Sequence, residues 1–133
     1  PIAIGDLPVS HTTSLGDFLA DLVIEEELNK SLVTIASTDM THGNMYGLDH
    51  TEVSRRDKLA IKPLLERNPA ALEAAVHKHD ISMCGVCPTN VLLSLTDKLG
   101  ASKAELLNYA TSGQTCGPMS AVVGYASIAI YRD

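Results

Sequence analysis

Positive charge is scarce in this sequence: 10 Lys and Arg stand against 16 Asp and Glu, giving a formal net charge of -6 and a pI near 5.2. A polyanion would be repelled, and no Lys/Arg cluster or basic–aromatic interleaving localises an exception, so nucleic acid is not an expected partner. Cysteine is sparse too. Three in 133 residues make a poor disulfide framework and fit a reducing compartment, which makes the cytoplasm the expected location. No apolar run approaches the roughly 20 residues needed to cross a bilayer, and no basic-then-apolar leader is present, so no membrane association is expected. Internal repeats, low-complexity tracts and a convincing linker are also missing. The first residue is Pro1 rather than Met, as in a trimmed or processed protein or a piece of something longer.

What is present is the composition of a folding chain. Hydrophobic residues make up 45% and charged residues 20%, near globular averages and far from the signature of disorder. The length suits one domain over residues 1–133 and is too short to divide comfortably into two.

Residues 1–4 read as a short strand ending at Gly5, and 6–13 as a loop. With Ser14 as N-cap, Leu15, Phe18, Leu19, Leu22 and Val23 form one apolar stripe on a helix running to about Leu28. Residues 32–37 are a continuous apolar run with β-branched members, the composition of a strand covered on both faces. Strand, helix, strand predicts a parallel crossover unit. Residues 38–49 turn polar and glycine-bearing, a loop. A helix over 51–67 contains Pro63, where a kink or break is expected, and Asn68 with Pro69 restarts a helix that ends near His79 and Asp80. A further helix from about Pro88 carries Leu92, Leu95 and Leu99 and stops at Gly100. Two strands close the chain, 104–111 and 121–131, the second expected to be central. The expected fold class is α/β, a mixed β-sheet flanked by helices.

Asp39 and His42 follow directly after the apolar run that ends at Ser37. In open α/β sheets ligands bind beyond the carboxyl ends of strands, a place where Asp-x-x-His presents a carboxylate and an imidazole together. The plainer reading of such a pair is a helix cap or a solvated turn. Cys84 and Cys87 sit just before a helix, where backbone N–H groups favour a thiolate, although free cysteines commonly fill gaps as small hydrophobes. As a C-x-x-C motif the pair admits a thiol redox centre, except that a helix rather than a strand precedes it. His77, His79, Cys84 and Cys87 fall within eleven residues and admit a zinc site, which the two-residue spacing of the histidines disfavours. His11 and His50 read as surface residues, and Glu25, Glu26 and Glu27 as a solvated face.

Four ordered blocks resemble the MEMO family: Ser37-Thr38-Asp39-Met40-Thr41-His42, Ile81-Ser82-Met83-Cys84-Gly85, Tyr109-Ala110-Thr111-Ser112-Gly113 and Val123-Gly124-Tyr125-Ala126. That family includes the proteins labelled AmmeMemoRadiSam system protein B, and it resembles the class III extradiol dioxygenases in fold. By this resemblance Asp39, His42 and Cys84 line a metal-site pocket as catalytic and metal-binding residues, and Cys87 is packing. The resemblance also implies that a further N-terminal part supplies more histidines, so that this chain is the C-terminal portion of a MEMO-like protein and carries part of the cleft. A carboxylate, an imidazole and a thiolate suit iron, copper or zinc and not magnesium or calcium. The leading functional expectation is a metal-dependent oxidoreductase of dioxygenase-like type. The alternatives are an adaptor that binds a peptide, small molecule or protein partner in the same pocket, with a radical SAM enzyme as the pathway context implied by the family, and a C-x-x-C thiol redox protein.

Overall fold

The three-dimensional structure is a computed structural model that describes residues 1–28 and 31–132. Its elements in order are α1 (Val9–Glu25), α2 (Gly43–Tyr46), α3 (His50–Leu65), α4 (Pro69–Lys78), α5 (Val86–Lys98), β1 (Lys103–Thr111), α6 (Ser112–Thr115) and β2 (Gly124–Tyr131). The class is mixed helix and strand, with a small antiparallel sheet. β1 pairs with β2 from Lys103↔Tyr131 to Thr111↔Gly124, and an irregularity between Leu106 and Asn108 shifts the register. Met40, Ile61, Leu64, Leu72, Ile81, Met83 and Leu93 form the core, with Tyr109, Ile128 and Ile130 packed against it.

α1 starts five residues before the expected Ser14 cap, at Val9 after Pro8. The Ser/Thr run that reads as loop becomes helical because its hydroxyls bond back to the preceding turn: Thr12 and Thr13 Oγ1 donate to Val9 O, and Ser14 Oγ to Ser10 O. The buried face also differs from expectation. Thr12, Gly16, Ala20 and Val23 are inside, while Phe18 and Leu22 are exposed. The small residues allow α1 to lie directly on α5, so that a Cβ built on Gly16 would come within 2.5 Å of Val91 O. Ser94 Oγ to Asp17 Oδ1 at 2.6 Å and Lys98 Nζ to Asp21 Oδ1 at 2.7 Å join the same pair of helices.

The local signals farther along hold. Asp49 caps α3 by accepting from Glu52 N, and α3 runs only two residues past Pro63 before Arg67 takes a positive φ of 54°. Asn68 caps α4 by accepting from Ala71 N, with Pro69 in the first turn. α5 begins at Val86, two residues before Pro88, which the first turn of a helix tolerates. Its stop at Gly100 uses φ +84°, a left-handed conformation in which glycine meets no Cβ penalty.

Two expectations fail. Neither residues 1–4 nor residues 32–37 pair with a strand among the described residues, so the parallel crossover does not form within them. Residues 32–37 have no regular secondary structure and lie open: Val33 is 82% and Ile35 84% exposed. β2 is likewise not central. Among the described residues it pairs with β1 on one side, and on the other it meets only the 40–42 segment, through Met40 N to Gly124 O and Gly124 N to Thr41 O, each 3.0 Å, and an isolated bridge between His42 and Val123.

Candidate functional site

The segment carrying Asp39 and His42 is fastened at every residue from Thr38 to His42. Met40 is buried and tied to Gly124 as above. Thr41 N donates to Asp57 Oδ1 at 2.9 Å, and His42 N to Ser82 Oγ at 2.8 Å. Thr38 Oγ1 accepts from Gly85 N at 2.8 Å and donates to Asp39 O. Such pinning holds two polar side chains at a fixed separation while leaving their tips free.

His42 Nδ1 lies 2.5 Å from Ser82 O. A carbonyl oxygen only accepts, so Nδ1 carries a hydrogen and donates it, the tautomer-fixing arrangement usual behind a ligand histidine. In the neutral ring Nε2 then presents a lone pair, and Asp39 Oδ2 lies 3.3 Å from it. Two acceptors at that distance repel unless a cation, either a proton or a metal ion, lies between them. Asp39 keeps 44% of its side-chain surface exposed, so the pair opens to solvent.

Cys84 approaches from the other segment. Its Sγ accepts from Asp39 N at 3.3 Å and lies 3.7 Å from Thr38 Oγ1. Gly85 makes this approach geometrically feasible: a Cβ there would stand 2.3 Å from Thr38 Cβ and 2.9 Å from Ser37 O. Cys84 and Cys87 also line a cleft of about 400 Å³ with Met83, Asn90, Leu7 and Val76, and neither Asp39 nor His42 borders it. Cys87 packs against Leu7, whose N donates to its sulfur at 3.5 Å. All three cysteines are free. Among the described residues no three His, Cys, Asp or Glu side chains gather closely enough to hold a metal ion by themselves, and this includes His77, His79, Cys84 and Cys87. The structure therefore brings Asp39 and His42 together as a pair, with Cys84 against the main chain of Asp39.

Below the pair lies a carboxyl group that sequence reading missed. Asp57 is completely buried. Besides Thr41 N it accepts from the Tyr109 hydroxyl at 2.8 Å, and Gly124 passes so close that a Cβ would collide with Asp57 Oδ2. Burial first, and the hydrogen bond and charge of Asp57 second, push the Tyr109 phenol above its ordinary range, so it remains a donor. Among Arg55, Arg56 and Lys58, Asp57 reads as surface charge; the available signal was that Tyr109 and Gly124 both fall in the family blocks. His50 also departs from expectation: it is half-buried, with Nδ1 2.8 Å from Thr111 Oγ1.

A family profile described as Memo-like protein matches residues 1–129. The chain belongs to the Memo-like family. It is 44% identical over 127 residues to a MEMO1 family protein of Methanocaldococcus jannaschii, covering 96% of this chain and 42% of that protein. It is 35% identical over 132 residues to one of Methanopyrus kandleri, covering 99% of this chain and 44% of the relative, and 39% identical over 133 residues to one of Desulfurococcus amylolyticus, covering 98% and 44%. The chain thus spans less than half the length of these MEMO1 family relatives. No helix among the described residues is long and apolar enough to cross a membrane.

Proposed function

We propose that this chain carries part of the metal-site pocket of a metal-dependent oxidoreductase, related in fold to the class III extradiol dioxygenases. The observation that supports this most is the directed lone pair of His42 Nε2 facing the Asp39 carboxyl group at 3.3 Å. Two bonds of about 2.1 Å to one ion reach across that separation, so imidazole and carboxylate fit a shared transition-metal ion. Asp39 and His42 would hold it, and Cys84 would join them if its exposed sulfur turned from the Asp39 amide. Bound there, iron or copper would supply one-electron chemistry, and zinc Lewis acidity. The protein's own contribution is orientation: Ser82 O sets the imidazole tautomer, and Asp57 and Gly124 fix the main chain on which both side chains stand.

Equilibrium titration with Fe(II) and with Zn(II), read by calorimetry, tests this reading. One site is expected, weakened about tenfold or more by Asp39→Asn and by His42→Ala; equal affinity in all three proteins would overturn it. Oxygen consumption by the iron-loaded protein then separates an oxidoreductase from a binding protein.

A second reading, a thiol redox pair, is favoured by one observation: Cys84 and Cys87 line the same cleft at the start of α5. Mild oxidation should then close a reversible Cys84–Cys87 disulfide, and mass spectrometry showing two intact thiols would retire it.

A further inference from the structure

Residues 32–37 have the composition of a strand covered on both faces, yet in the structure they are open. Leu32, Val33 and Ile35 are all exposed. The main-chain groups of Val33, Thr34, Ile35 and Ala36 make no backbone hydrogen bond among the described residues. Opposite them, the β2 edge away from β1 is equally unpaired beyond Gly124. Between these two free edges runs a cleft of about 650 Å³, with Val33, Ile35, Leu95, Leu99, Ile128 and Ile130 among its walls.

The volume of this cleft is that of a short strand segment. With a rise of about 3.4 Å, a strand spacing of about 4.8 Å and a layer thickness of about 10 Å, one strand residue fills roughly 160 Å³. The cleft therefore takes about four residues, the length of the unpaired stretch from Val33 to Ala36. Buried polar backbone without partners is strongly disfavoured, so an occupant that covers this apolar lining must also pair its edges, as an extended segment does.

We infer that the cleft is the seat of an added β-strand, and that the strand comes from the portion of a family-length protein outside these 133 residues. The relatives are more than twice as long as the part this chain matches, so a full complement of further chain exists in the family. A second copy of this chain offers two unpaired apolar segments, residues 1–4 and 32–36; the second already forms one wall and the first is no longer than four residues, so the longer unmatched portion of the relatives is the occupant inferred. The lining of the cleft ends at Ala36 and Ile128, and four residues beyond each of them Met40 pairs directly with Gly124. This inference rests on edges and volume and stands apart from the metal reading.

Co-expression of this chain with the unmatched portion of the Methanocaldococcus jannaschii relative, followed by light scattering and hydrogen–deuterium exchange, tests it. The expected result is a one-to-one complex in which amides of residues 33–36 exchange about a hundredfold more slowly than in the chain alone. Ile35→Asp, on a side chain already 84% exposed, should leave the helical circular dichroism of the chain unchanged and weaken the complex about tenfold or more. Failure to form the complex, or a complex in which residues 33–36 exchange as fast as before, would overturn the inference. So would protection of the same amides in a particle of two identical chains.

Discussion

Asp57 bears more of the site's geometry than any residue that points into it. It receives the Thr41 amide and the Tyr109 hydroxyl in a position with no solvent access. Removing it leaves the buried Thr41 amide unpartnered, at about 1–3 kcal/mol, and leaves the part-buried Tyr109 hydroxyl only the longer bond to Ser54 Oγ at 3.5 Å. Asp57→Ala should therefore lower the unfolding free energy by about 2 kcal/mol or more in urea titrations, while Asp57→Asn, which keeps one acceptor, should cost less. Equal losses would contradict this, because the isosteric amide keeps the volume and one acceptor that alanine removes. Tyr109 supplies a pH test of the same network. Its phenol is raised in the folded state, so its contribution is complete below the ordinary value of 10.0 and declines as pH rises beyond it. Wild-type stability should fall more steeply above pH 10 than that of Tyr109→Phe, which has no phenol to ionise; parallel alkaline profiles would contradict the assignment.

Among the elements, those with local punctuation were legible and those defined by distant partners were not. Asn68–Pro69 and Gly100 mark helix ends by their own chemistry, and α4 and the end of α5 fall where those residues place them. α1 illustrates the opposite case. Its leucine and phenylalanine stripe was the strongest helical pattern, yet α5 packs on the small face through Gly16, a choice fixed by close approach and not by hydrophobicity. Gly16→Val should consequently destabilise the chain by about 1–3 kcal/mol through overpacking against Val91 and Ser94, whereas Phe18→Ser, on the exposed face, should change it by less than about 0.5 kcal/mol. Thermal denaturation of the two variants checks the ordering. Ile35, 84% exposed, forgoes most of the about 1.5–3 kcal/mol that full burial would give, which is the driving force for the strand addition inferred above.

At the scale of the whole molecule, a strand pair, the four longer helices and a Memo-like identity were readable in advance, and the juxtaposition of segments 37–42 and 81–85 was readable only through the family blocks. Nothing in local spacing says that Ser82 O meets His42 Nδ1 or that Gly85 admits Thr38; those contacts exist because the core of Met40, Ile81 and Met83 draws the two segments together. This convergence leaves the His42 Nε2 lone pair and the Asp39 carboxyl group 3.3 Å apart, the separation on which the proposed shared cation rests. Nitrogen NMR of the labelled histidine side chains tests it most directly, with His42 assigned by its Ala variant. The neutral ring is expected to carry its proton on Nδ1, and added zinc is expected to shift the Nε2 resonance of His42. A neutral His42 protonated on Nε2, indifferent to zinc, would contradict it.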